Sequence, residues 1–191
     1  MGVVAERKRF TVDEYHKLGK AGVLGENDRI ELVEGELIQM APIGSVHAAI
    51  VARLQRLFHA GVPQGFAVWT QNPLSLPPSS EPQPDLALIK PRTDDYLGSL
   101  PAASDVLLVI EVADTTLAYD RDVKMPLYAK HGIPEAWLID VGAACLEMHR
   151  DPGAEGYRTL LRPDRDAAVS PLALPDVSID LKALLAGLGA I

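Results

Sequence analysis

Cysteine is almost absent from this 191-residue chain: Cys145 stands alone, which excludes an intrachain disulfide and any cysteine-based metal cluster. That scarcity agrees with a reducing, cytoplasmic setting. Long apolar runs are missing too. No stretch approaches the roughly 20 residues that cross a bilayer, and the opening MGVVAERKRF has no apolar segment to serve as a signal peptide. Gly2 is not followed by the Ser or Thr of a myristoylation signal, position 6 being Glu. The expectation is a cytoplasmic protein with no membrane partner. Positive charge is short as well, with 18 Lys and Arg against 26 Asp and Glu and a net charge of −8. Non-specific nucleic-acid binders draw most of their affinity from neutralising phosphates. A nucleic-acid substrate would therefore need a local basic patch, a bound cation or a partner here. No internal repeat, low-complexity tract, nucleotide-binding glycine loop, Ser-His-Asp arrangement or redox motif is present. His16, His59, His131 and His149 show no metal-ligand spacing.

What is present is the ordinary composition of one globular domain over residues 1–191, 48% apolar and 23% charged. Thr11 caps a short helix to about Lys20, with Glu14 at the capping-box position. Two β-like runs flank Glu34-Gly35 as a hairpin. Val46, Ile50, Leu54, Leu57 and Phe58 recur at helical spacing, and Ser45 is the candidate cap of that helix. Strands are predicted at Phe66–Gln71, Asp85–Ile89 and Val106–Val112, the last apolar on both faces as in a central strand. A helix then starts near Asp122, with Pro126 in its first turn, and stops at Gly132. Glu135–Val141 is a further strand. Shorter strands follow at Cys145–His149 and Tyr157–Leu161 around the turn Asp151-Pro152-Gly153, and Asp180 caps a terminal helix over Leu181–Leu188. Pro73–Pro84, with five prolines, and Lys90–Asp105 read as loops. Helix, three strands, helix, strand is a mixed α/β layer architecture.

Glu111 is the discordant residue. A carboxylate at the end of an otherwise apolar strand is costly unless it is paired or bound to a cation. Asp85 opens the preceding predicted strand, and if the two strands are neighbours both carboxylates meet at one sheet edge. Two carboxylates with a nearby main-chain carbonyl form an oxygen-only site suited to Mg2+ or Mn2+. Lys124 lies in the first turn of the following predicted helix, near enough in sequence to reach back toward Glu111.

These elements resemble the PD-(D/E)XK nuclease superfamily, whose restriction-endonuclease-like core is helix, three strands, helix, strand. More narrowly, the chain looks like the Uma-two family. The matching stretches are IELVEGE at 30–36, QPDLALI at 83–89, VIEVADTT at 109–116 and YDRDVKMPLYAKHGIPEAWLID at 119–140. The resemblance covers roughly Phe10 to Leu185. It implies that Asp85, Glu111 and the Val112 carbonyl bind the divalent ion and that Lys124 serves catalysis, with Glu31 and His47 as auxiliaries. One position departs from the superfamily pattern: the Lys expected two residues after the Glu is here Ala113, so the resemblance implies that Lys124 takes that role from the helix. The implied function is divalent-metal-dependent hydrolysis of DNA phosphodiester bonds, and the superfamily admits a homodimer.

Each residue has a plainer reading. Asp85 is a turn residue after proline, Glu111 pairs with Arg or Lys, Lys124 is solvated and His47 is a surface or capping residue. Asp120 and Asp122 suit a helix start, Tyr128, Trp69 and Trp137 suit the core, and Glu34 and Glu36 suit an exposed hairpin. Two other functions stay open: a nuclease-fold binding or regulatory module without hydrolysis, which the net charge and the displaced Lys favour, and hydrolysis of a phosphoester outside nucleic acids.

Overall fold

The computed structural model describes residues 6–25, 28–61, 63 and 65–189, so Gly2 lies outside the described residues. Helix α1, Val12–Lys20, opens on Thr11, whose hydroxyl accepts the Glu14 N–H while the Glu14 carboxylate accepts the Thr11 N–H. That reciprocal capping box satisfies two donors that have no partner inside the helix. Strands β1, Ile30–Val33, and β2, Glu36–Gln39, form the expected antiparallel hairpin. Its turn places Glu34 at φ 47° and Gly35 at φ 81°. Positive φ at both central residues matches the right-handed twist of the flanking strands. Helix α2 runs over Ser45–Gly61. Its first helical bond, from the Ala48 N–H to the Gly44 carbonyl, makes Gly44 the boundary residue and puts Ser45 inside the helix.

Six strands then build one sheet in the order of the chain: β3 Ala67–Thr70, β4 Leu86–Ile89, β5 Val106–Ala113, β6 Glu135–Asp140, β7 Cys145–Gly153 and β8 Gly156–Leu161. Every neighbouring pair is antiparallel except β5 and β6. A parallel pair needs a crossover, and the crossover here is helical. It consists of α3 Leu117–Tyr119, a π-helical turn Asp120–Lys124 and α4 Met125–Lys130 in direct succession. The helix therefore begins five residues before the Asp122 predicted from Pro126. Proline lacks an N–H and crowds the preceding turn, and the wider π turn just ahead of Pro126 lets the helix pass through it. A two-stranded ladder, β9 Ala168–Val169 with β10 Ile179–Asp180, precedes α5 Leu181–Leu184. Asp180 caps α5 as expected, but the regular helix ends at Leu184, short of Leu188.

The β7–β8 turn also differs from its prediction. Strand β7 continues through Gly153, the turn falls on Ala154-Glu155, and Asp151 takes a positive φ of 58° inside the strand. Arg150 pairs with Thr159 and Pro152 with Tyr157, so Asp151 keeps the register of the ladder in spite of its left-handed backbone.

Strand alternation sorts the core into two layers. Leu108, Ile110 and Val112 of β5 pack with Ile50, Leu54 and Phe58 of α2 and with Trp137. Val109 and Ala113 face the other way, against Met125, Leu127 and Tyr128 of α4 and Val33 of the hairpin. Glu111 belongs by alternation to this second layer. The proline-rich segment 73–84 is an ordered wall: Leu74 and Leu76 are fully buried, and the Glu81 N–H bonds the Leu32 carbonyl at 2.7 Å. Among the described residues no helix is long and apolar enough to cross a membrane.

Two positions test this frame. A Cβ on Gly35 would lie 2.6 Å from the Arg9 Cβ and 3.1 Å from the Phe10 carbonyl oxygen. Gly35→Ala should therefore lower the unfolding free energy by about 1–3 kcal/mol in urea titration. Glu135, fully buried, accepts hydrogen bonds from Trp137 Nε1 at 2.9 Å, Arg150 Nε at 2.8 Å and the Leu172 N–H at 2.7 Å. Glu135→Ala strands those donors and should cost about 3 kcal/mol in the same titration.

Candidate active site

Strand register brings the two expected carboxylates side by side. Leu86 pairs with Ile110, so one step further Asp85 stands opposite Glu111 at the edge where β4 has just begun. The Asp85 Oδ2 accepts the Val112 N–H at 2.8 Å. Within a strand the N–H and carbonyl of one residue point to the same side, so the Val112 carbonyl faces this edge too. Its register partner would be Pro84, which has no N–H to donate. That leaves the Val112 carbonyl oxygen with no N–H partner at this register position. His47, at the start of α2, sets its Nε2 2.9 Å from the other Asp85 oxygen. This hydrogen bond raises the His47 pKa above the usual imidazole range, against the effect of burial.

Behind Asp85 lies a buried charge cluster. Glu31, Glu111, Asp120 and Lys124 are each between 2% and 4% exposed. Lys124 Nζ is 2.9 Å from Glu111 Oε1 and 3.2 Å from Glu31 Oε2. Tyr128 donates its hydroxyl to the same Glu111 Oε1 at 2.5 Å. Glu31 also accepts the Gln83 N–H at 3.0 Å, and Thr116 donates to Asp120 at 2.5 Å. Burial pushes Glu111 up to about 8 in spite of Lys124, and burial raises Asp120 as well. Burial works against the charged form of Lys124, yet Glu111, Glu31 and Asp120 hold it above the ordinary lysine range. Desolvation thus leads for the two carboxylates, and for the lysine the surrounding carboxylates together outweigh it.

These groups line a cavity of about 310 Å³. Its walls are the strand β1 end with the loop Met40–Gly44, the turn Asp114–Thr116, and Tyr119 on the crossover. Glu31, Asp85, Glu111, Asp114 and Asp120 bring five carboxylates to it, against Arg29, Lys124 and His47. Among the described residues no three His, Cys, Asp or Glu side chains form a ready metal cage. A cation here would draw on two carboxylates, a carbonyl and water, and the donor set fits a hard divalent ion such as Mg2+ or Mn2+.

The six residues singled out from sequence, Glu31, His47, Asp85, Glu111, Val112 and Lys124, all line this one cavity. The plainer reading of Asp120 gives way, and that of Tyr128 holds. Asp120, read as a helix-start residue, lies inside the crossover helix as a buried neighbour of Lys124. Tyr128 is a core residue whose hydroxyl is spent on Glu111. Asp120, Lys124 and Tyr128 recur at intervals of four, the spacing of one helix face, and that was the available signal. Tyr119, whose hydroxyl lies 3.5 Å from Glu31, had none. Glu34 and Glu36 are exposed as expected, Trp137 is buried, and Trp69 is half-buried with its Nε1 on the Pro73 carbonyl.

Comparison with known proteins bears on the family and the fold. The family Uma2, described as "Putative restriction endonuclease", matches residues 12–182. The chain is also similar to the crystal structure of a "putative nuclease belonging to DUF820" from Anabaena variabilis, with a TM-score of 0.74 at 19% identity. That match covers 92% of this chain and 97% of the other. At that identity the likeness establishes the restriction-endonuclease-like fold alone. No curated protein matches the chain. Since the family match spans most of the sequence, the chain belongs to the Uma2 family.

Proposed function

We propose that the protein is a divalent-metal-dependent nuclease that hydrolyses DNA phosphodiester bonds at the cavity between Asp85 and Lys124. The observation that carries this reading is the juxtaposition of a two-carboxylate edge with a buried lysine held by two more carboxylates. Asp85, Glu111 and the Val112 carbonyl would hold Mg2+ or Mn2+. When bound, the ion supplies Lewis-acid polarisation of the phosphodiester and a lowered pKa for a water molecule.

The chain's own residues have separable tasks. Lys124 offers an ammonium to the phosphate oxygens or to the attacking water, where developing charge is stabilised most in a water-poor site. Glu31 holds that ammonium charged and fixes its position from the side opposite Glu111. Tyr128 occupies one oxygen of Glu111 and so orients the other. His47 and the Val112 N–H do the same for Asp85. The eleven-residue displacement of the lysine, from position 113 on the strand to Lys124 on the helix, is bridged because Lys124 Nζ lies 2.9 Å from Glu111 Oε1.

One observation favours the alternative, a nuclease fold used only for binding. Lys124 already neutralises Glu111 within the cavity, and the chain carries a net charge of −8. Cleavage separates the readings. With Mg2+ or Mn2+ the purified protein should cut plasmid or single-stranded DNA, and Asp85→Ala should abolish both cutting and metal binding. Cutting that survives Asp85→Ala sinks the nuclease assignment of this site; no cutting with either ion moves the protein to the binding class. Tyr128→Phe keeps the buried ring and should weaken Mn2+ affinity by about 10–100-fold, read by calorimetry, with little change in the unfolding midpoint.

A further inference from the structure

The reactive groups sit at the bottom of a pocket, and that depth bears on which nucleic acid can reach them. Glu111 and Lys124 are almost wholly buried. The space in front of them is about 310 Å³, at the small end of pockets that enclose a small-molecule ligand. The β1–β2 hairpin and its exit loop stand over it. That wall is built in, because the Met40 N–H bonds the Arg29 carbonyl at 2.7 Å and Arg29 Nη1 bonds the Ala41 carbonyl at 2.8 Å. A duplex carries its phosphodiesters on a broad, stiff cylinder, whereas an unpaired strand bends freely enough to lower a single one into a recess.

The lining points the same way. Ile38, Met40, Pro42 and Ile43 give the hairpin side of the cavity an apolar surface, with Tyr119 across from it. Contacts to a duplex backbone are made by basic and polar groups. An apolar wall with an aromatic ring suits instead the face of an unstacked base.

We infer that the cavity admits one unpaired nucleotide at a time, so that its substrates are nucleic acids with an unstacked strand: single strands, flaps or ends. This inference rests on the nuclease reading of the same site. The base lies against Ile38, Met40 and Ile43, and its phosphodiester faces Asp85 and Glu111.

The test uses full-length protein with Mn2+ and three internally labelled DNAs that share one sequence. These are a single strand, a relaxed covalently closed circular duplex, and that circle carrying an unpaired flap. The single strand and the flap should be cut at least about tenfold faster than the closed duplex. Ile43→Ser, at an exposed position, should raise KM for the single strand several-fold at an unchanged unfolding midpoint. Equal rates on the closed duplex overturn the inference and leave the nuclease reading standing, as does an Ile43→Ser enzyme with unaltered KM. Failure to cut any of the three removes the nuclease reading, and the inference with it.

Discussion

A lysine ammonium buried between Glu111 and Glu31 is the interaction on which the rest of this structure depends. Isolated burial of any of these charges would cost several kcal/mol, so each constrains the placement of the others. Glu31 comes from the hairpin, Glu111 from the central strand and Lys124 from the crossover helix. The cluster thus ties three elements distant in sequence to one point. It also explains the π turn, which spans Asp120 to Lys124 and carries both buried charges of the crossover. Replacement of such a cluster by apolar residues is often neutral or stabilising, so its presence speaks for chemistry rather than for folding.

Much of the scaffold was legible because its signals are local. Helical spacing marked α2, a two-residue turn marked the hairpin, and an unbroken apolar run marked β5 as central. What failed was where one local rule met a competing one. Pro126 argued for a helix start, and a widened turn upstream accommodated it instead. Asp151-Pro152-Gly153 has the composition of a turn, but all three residues stay in the β7–β8 ladder and the chain turns at Ala154-Glu155. Burial of the proline-rich wall against β1 carries no periodicity, so sequence showed it only as a loop.

The site was legible in outline for a different reason. Glu111 breaks the pattern of its strand, and a charge in an apolar run demands a partner wherever the fold puts it. Sequence could not rank those partners. Glu31 sits beside Glu34 and Glu36 in one short hairpin, and only the packing of β1 against the 73–84 wall separates the buried carboxylate from the exposed pair. Tyr128 looked like core and is core; its hydroxyl's task depends on a distance that no spacing rule supplies.

The account's central claim is that the surplus negative charge around Asp85 and Glu111 exists to hold a divalent cation. Diffraction from crystals soaked in Mn2+, measured at the manganese absorption edge, addresses it directly. The account predicts one anomalous peak within bonding distance of both the Asp85 and the Glu111 carboxylates. A map with no peak there, with Lys124 still seated on Glu111, would contradict it.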